Sequence, residues 1–72
     1  MWDKGDVAYF ANRETGKAEK CRILEVKYGL PTLLTVQKEE TGEIFTSGDI
    51  AFFRRKVDAV KDALTYGQRK IY

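Results

Sequence analysis

The chain has 72 residues, of which 43% are hydrophobic and 33% are charged, with 13 basic side chains against 11 acidic ones and no histidine. This is the composition of a folded domain and not of a disordered segment, and the length allows one domain with one modest core. The longest apolar runs are far shorter than the roughly 18 residues of a membrane span, so no membrane helix is predicted.

The cysteine count and the first residues bear on location. Cys21 is the only cysteine, which leaves no internal disulfide to form and favours a reducing compartment. Residues 1–5 lack the charged-then-apolar order of a secretory signal. We therefore expect a cytoplasmic protein.

The first two strands are predicted at residues 7–12 and 18–28. Residues 7–12 alternate with apolar side chains on both faces, and a turn containing Gly16 follows. The second strand changes phase: Cys21 and Ile23 form one alternating set, and Leu24, Val26 and Tyr28 form another. A bulge or bend near Ile23 and Leu24 would let both sets face a core.

Three more strands and a helix follow in the chain. Residues 32–38 and 44–46 are predicted as strands around a turn at residues 40–43, and residues 50–53 as a short closing strand or a turn into one. The period then changes, because Phe53, Val57, Val60 and Leu64 recur at spacings of four, three and four. This stripe predicts an amphipathic helix over residues 54–67 with these side chains against the core, followed by a basic tail at residues 68–72.

Five short strands with tight turns, a bent second strand and a terminal helix resemble an SH3-like barrel of the Tudor and KOW type. The resemblance covers residues 5–53 and is carried by residues 5–7, the bend at residues 23–24, the hairpin at residues 40–43 and residues 48–50. It implies a mainly β fold, in which a five-stranded barrel (residues 5–53) and a C-terminal amphipathic helix (residues 54–67) form a single domain, residues 1–72.

The residue inventory argues against catalysis. Histidine, the commonest general base and metal ligand, is missing, and Ser47, the only serine, has no evident base. Gly16 and Lys17 lack the upstream glycine of a phosphate loop. We expect no enzyme, no metal and no cofactor. A carboxylate site remains the alternative, with the members Asp3, Asp6, Glu39, Glu40, Glu43 and Asp49. Turn roles beside glycine are favoured for Asp6 and Asp49, and solvated charge at the hairpin tip is favoured for the three glutamates.

Basic residues are concentrated at the C-terminal end. Residues 54–72 hold six basic and two acidic side chains, a net charge of +4, whereas residues 1–53 hold seven and nine, a net charge of −2. Three adjacent cations at a helix start oppose the helix dipole, which suggests an anion-binding patch. Its predicted members are Arg54, Arg55, Lys56, Lys61, Arg69 and Lys70. The alternative is an ordinary solvated helix face that Asp58 and Asp62 partly neutralise.

Aromatic residues are too numerous for all of them to lie in the core of so small a barrel. We predict Tyr9, Tyr28, Phe45 and Phe52 as contact residues for a ligand. The alternative is that the terminal helix covers the surplus rings.

Two functional hypotheses follow. The first is a non-catalytic binding module that contacts nucleic acid through its basic C-terminal helix and the neighbouring aromatics. The second is a protein interaction module, meaning an adaptor, an inhibitor of another protein or a self-associating small protein, so a homo-oligomer is one open form. The acidic first 53 residues and the aromatic surplus favour the second hypothesis.

Overall fold

The computed structural model of the protein describes residues 1–67. The predicted mainly β class is confirmed. The strands are β1 (Val7–Asn12), β2 (Lys17–Lys27), β3 (Leu33–Lys38), β4 (Ile44–Gly48) and β5 (Phe52–Phe53). A 3-10 turn (Asp49–Ala51) separates β4 from β5, and the helix α1 (Lys56–Asp62) continues into a π-helical turn (Ala63–Gly67).

The five strands form one antiparallel sheet in the order β4-β3-β2-β1-β5. Consecutive strands are neighbours because tight turns join them, and β5 returns to pair with β1. Within residues 1–67, the two edge strands β4 and β5 are not hydrogen-bonded to each other. The sheet is therefore not closed, and the predicted barrel is not confirmed.

The predicted irregularity in β2 is confirmed. The register between β2 and β3 shifts between Ile23 and Glu25, so Leu24 is the extra residue of a bulge. The bulge resets the alternation, which lets Cys21, Ile23 and Val26 all face the same core. Tyr28 does not join them: the strand ends one residue earlier, and this ring is 59% exposed.

The main core fills the inner face of the sheet. It is composed of Ala8, Cys21, Ile23, Leu34, Val36 and Phe52, with Trp2, Phe10, Val26, Phe45 and Ala51 packed against them. Burying a large aliphatic side chain contributes about 1.5–3 kcal/mol to the free energy of folding. The Phe45 ring on β4 lies 6.2 Å from the Phe52 ring on β5. Side chains thus connect the two edges that the backbone leaves unpaired.

A second, smaller cluster lies on the opposite face of the sheet. There Ala59 and Ala63 of the helical segment pack against Ala11 of β1, and Ala18, Tyr9 and Phe53 surround them. Because successive residues of β1 point to opposite faces, Ala8 belongs to the first cluster and Ala11 to the second. The alanines have short side chains, which lets the helix approach the sheet closely.

The predicted helix orientation is wrong for two of the four residues of the stripe, although Phe53 does pack beside the helix. Val57 and Leu64 are more than half exposed, whereas Ala59 and Ala63 are fully buried. The helix also begins at Lys56 and not at residue 54. Ala59 and Ala63 form the contact face because their short side chains let the helix pack closely against Ala11 and Ala18. Over residues 1–67, neither helical segment is long and apolar enough to cross a bilayer.

Candidate functional site

Arg54, the first cation of the predicted basic patch, contacts the N-terminal segment of the chain. The Arg54 guanidinium lies 4.2 Å from the centre of the Trp2 ring, and its Nη1 atom lies 3.6 Å from Oδ2 of Asp6. Its Nη2 atom also donates to the carbonyl of Met1. Arg54 therefore holds the start of the chain against the end of β5.

Further hydrogen bonds fix the N-terminal segment onto β2. The backbone N–H of Gly5 donates to the carbonyl of Ile23 at 2.8 Å, and Nη1 of Arg22 donates to the carbonyl of Gly5 at 3.1 Å. The Tyr28 hydroxyl donates to the carbonyl of Trp2 at 2.6 Å. The exposed Tyr28 ring thus has a structural contact at its polar end.

The other predicted cations differ in their surroundings. Arg55 precedes the helix and donates from Nε to Oδ2 of Asp58 at 3.3 Å, in the first turn, where a carboxylate also offsets the helix dipole. Lys56 and Lys61 are exposed, and neither has an ion-pair partner among residues 1–67. The remaining two predicted members, Arg69 and Lys70, lie outside the described residues.

The overall charge of the described part does not favour a polyanion. Thirteen basic residues less Arg69 and Lys70 leave eleven, and all eleven acidic residues also fall in residues 1–67, so the net charge of this part is zero. Seven ion pairs distribute these charges over the surface. Affinity for phosphate backbones depends on an excess of unpaired cations, which this surface lacks.

The predicted aromatic contact residues are not on one surface. Phe52 is 4% exposed and belongs to the main core, so the prediction that it contacts a ligand is not supported by its position. Phe45 lies partly buried beside it, and Tyr9 lies partly buried under the helical segment. Of the four predicted contact residues, only Tyr28 is largely exposed. Successive side chains of β1 and β5 point into the two cores on opposite faces of the sheet. Most of the aromatic side chains therefore pack in one core or the other.

Two of the three carboxylates around the central hairpin, Glu39 and Glu43, are paired with cations, and Glu40 has no ion-pair partner within residues 1–67. Nζ of Lys38 lies 3.2 Å from a carboxylate oxygen of both Glu43 and Glu19, and these two ion pairs, Glu43 first, raise the pKa of the Lys38 ammonium. Glu39 lies within 4 Å of Lys20 and of an arginine on the same strand. Across the part of the chain that the structure describes, no three side chains of the metal-binding types come together.

The single thiol is buried and inert. Cys21 has no exposed surface, and burial raises its pKa from 9.0 to about 11. A thiol of this kind stays protonated at neutral pH, and the thiolate is the nucleophilic form. Cys21 therefore serves as a small core residue, as its place in the strand pattern indicates.

A groove that the sequence did not reveal lies at the open side of the sheet. It has a volume of about 580 Å³ and is lined by Phe10, Ala11, Asn12, Arg13, Glu14, Pro31, Ser47, Gly48, Ile50 and Ala51. The end of β1, the loop before β3 and the 3-10 turn meet there. Ile50 is 84% exposed, and Leu30, next to Pro31 in the chain, is fully exposed.

The sequence did not reveal the groove, because a strand over residues 50–53 would place Ile50 on the same buried face as Phe52. In the structure these residues divide into the 3-10 turn and the two-residue β5. The turn carries Ile50 outward, while Ala51 packs against the main core. Gly48 and Asp49 before it were the only local signal of a turn.

Comparison of the chain with protein-family models, with curated proteins and with solved structures finds no match. The resemblance to SH3-like barrels therefore has no family match behind it, and a function has to be inferred from the surface of the domain.

Proposed function

We propose that this domain is a non-catalytic protein interaction module that binds a peptide segment of a protein partner in the groove beside Ile50. The observation that carries the proposal is the largely exposed Ile50 in the lining of a groove that Phe10 and Ala51 also line. Concave apolar surfaces with few polar groups are typical binding sites. Covering Ile50 with a partner would contribute about 1.5–3 kcal/mol to binding.

The polar groups of the groove divide into structural and available ones. Asn12 has structural partners at both ends of its amide: its Oδ1 accepts from the backbone N–H of Glu14 at 3.0 Å, and its Nδ2 donates to Glu19 at 3.3 Å. Arg13 is paired with Asp62. The Ser47 hydroxyl and the Glu14 carboxylate have no hydrogen-bond partner within residues 1–67, which leaves them free to orient a ligand.

The second candidate is nucleic-acid binding through the basic C-terminal helix. It is favoured by the two exposed and unpaired lysines, Lys56 and Lys61, and by the basic residues that follow in the sequence. It is weakened by the internal contacts of Arg54 and Arg55 and by the zero net charge of residues 1–67. We therefore rank it below the groove.

We also propose an SH3-like barrel as the fold and the cytoplasm as the location of this domain. An SH3-like barrel of the Tudor and KOW type is supported by the position of β5 beside β1 and by the contact of Phe45 with Phe52 across the opening. A cytoplasmic location is supported by Cys21, which is a free cysteine.

Selection from a library of random displayed peptides tests the groove. We expect enriched peptides that bind the wild-type domain and lose affinity at least about tenfold against Ile50→Asp. The matched control is Val57→Asp, which places the same charge at another exposed β-branched aliphatic side chain, on the helix and away from the groove. Failure to enrich any peptide, or equal binding to both variants, would contradict the proposal. Oligonucleotide binding that Lys56→Ala and Lys61→Ala abolish would support the second candidate instead.

A further inference from the structure

The free edge of β4 follows from its pairing with β3. The backbone N–H of Lys38 donates to the carbonyl of Glu43 at 2.8 Å, and the N–H of Asp49 donates to the carbonyl of Thr32 at 2.9 Å. Both bonds belong to one continuous register, in which hydrogen-bonded pairs alternate with non-bonded ones. The odd-numbered residues of β4 therefore face β3, and the even-numbered residues turn their backbone groups away from it.

Three residues consequently present unpaired backbone groups along this edge. The N–H and C=O groups of Ile44 and Thr46, and the N–H of Gly48, have no hydrogen-bond partner within residues 1–67. The C=O of Gly48 is excluded because this residue caps the 3-10 turn and its carbonyl accepts the first bond of that turn. Five groups thus remain to pair with another strand.

This edge lacks the devices that usually protect edge strands. Charged side chains, proline and bulges commonly prevent another strand from pairing there. The five residues of β4 include no charged residue and no proline, and their register with β3 is unbroken. Ile44 is 57% exposed on the same strand. The edge is therefore a suitable template for an extended segment.

The charge around β4 indicates which kind of extended segment can pair with this edge. Residues 39–53 contain four acidic side chains and no lysine or arginine. Glu39 and Glu43 are paired with cations of β2 and β3, whereas Glu40 and Asp49 have no ion-pair partner within residues 1–67. Self-pairing of two antiparallel β4 strands about Thr46 would place Glu43 of each copy opposite Asp49 of the other. Like charges directly opposite each other destabilise a pair of strands. A basic segment complements this edge, and a second copy of the chain does not.

We propose that the partner binds by strand addition, in which an extended segment containing lysine or arginine pairs with the free edge of β4. This inference rests on the proposed function, since Ser47 and Gly48 of β4 also form one wall of the groove. Alternate side chains of an added strand continue the inner face of the sheet and point toward that groove. Backbone hydrogen bonds then supply affinity, and the groove supplies selectivity.

The probe for this inference is an acetylated and amidated peptide of alternating lysine and valine, seven residues long, with a glutamate-valine peptide as the charge control. Two further versions of the basic peptide carry N-methyl groups on alternate backbone amides. One version is methylated at the odd-numbered residues and the other at the even-numbered residues. We expect the basic peptide to bind and the acidic one not to bind. One N-methylated version should bind at least about tenfold more weakly, because only one set of amides faces β4.

Variants of Thr46 test the same contact from the side of the protein. Thr46→Pro removes one of the outward N–H groups, and proline is tolerated in edge strands at such positions. Thr46→Val is the matched control, because both variants lose the hydroxyl contact with Thr35 and only one loses the N–H. We expect at least about tenfold weaker peptide binding for proline and little change for valine.

Amide exchange gives a readout that does not depend on these variants. On addition of the basic peptide, exchange should slow at Ile44, Thr46 and Gly48, whereas Phe45 and Ser47 are already bonded to β3. No binding of the basic peptide at about 1 mM, or equal effects of the two N-methylated versions, would overturn strand addition. Binding that shifts Ile50 but is indifferent to Thr46→Pro would overturn it as well, and would leave the groove proposal intact.

Discussion

The guanidinium of Arg54 lies 4.2 Å from the centre of the Trp2 ring, which joins two residues that are 52 positions apart in the sequence. The same guanidinium reaches Asp6 and the carbonyl of Met1. The strongest local feature of the sequence, three consecutive cations, thus begins with a residue whose contacts are internal. Arg54 stabilises the fold, and its replacement should affect stability more than ligand binding.

Arg54→Ala is expected to lower the free energy of unfolding by about 1–2 kcal/mol, the combined size of a partly exposed cation–π contact and a surface ion pair. Urea denaturation measures this change. Lys56→Ala, which removes a neighbouring cation without an ion pair among residues 1–67, should stay within about 0.5 kcal/mol of the wild type. Equal effects of the two variants would show that the contacts of Arg54 contribute nothing.

The contact between the helix and the sheet depends on small side chains. Ala63→Leu is expected to destabilise the domain by about 1–3 kcal/mol, since a larger side chain at a fully buried position forces the helix away from Ala11. Thermal unfolding followed by circular dichroism measures the loss. Leu64→Ala changes the exposed neighbour and should cost less than about 0.5 kcal/mol. A larger loss of stability for Leu64→Ala than for Ala63→Leu would contradict this contact and would support the orientation that the sequence pattern predicts.

The bidentate pair between Arg13 and Asp62 ties the helix to the turn after β1. Its two N–O distances are 3.0 and 3.2 Å, and this hydrogen bonding raises the pKa of Arg13. Asp62→Asn is expected to accelerate amide exchange in the helix, at Ala63 in particular, while the strands keep their protection. Glu14→Gln, which removes the carboxylate beside Arg13 that has no ion-pair partner within residues 1–67, is the control. Uniform acceleration through the whole sheet would show that the pair supports more than the helix.

The buried thiol makes stability depend on pH in the alkaline range. The pKa of Cys21 is about 11 in the folded state against 9.0 for an ordinary thiol. Between these values the unfolded chain releases the proton and the folded chain keeps it, so the free energy of unfolding falls as the pH rises from about 9 to about 11. The difference in stability between the wild type and Cys21→Ala should shrink over this range. A constant difference would contradict the raised pKa.

Local patterns in the sequence predicted the sheet well. The strand positions agree with the structure to within one or two residues at most ends, because alternation and glycine-containing turns are properties of neighbouring residues. The bulge near Leu24 was visible as a change of phase between Ile23 and Val26. Closure of a barrel was not visible, since it depends on whether the two edge strands pair.

Contacts between distant residues account for the errors. The stripe of Val57 and Leu64 outweighs the alanines in hydrophobicity, yet the helix docks through Ala59 and is held by a pair of residues 49 positions apart. Likewise, Arg54 finds its partners at the start of the chain. The groove depends on where β4 ends and the 3-10 turn begins, which fixes the exposure of Ile50.

The central claim, that a protein segment occupies the groove beside Ile50, is tested most directly by NMR. Amide spectra of the labelled domain are recorded while a peptide selected from the displayed library is added. The largest shifts should occur at Ile50, Ala51 and Gly48, and Ile50→Asp should abolish them. Shifts confined to the helix around Lys56 and Lys61, or elicited only by an oligonucleotide, would contradict the claim.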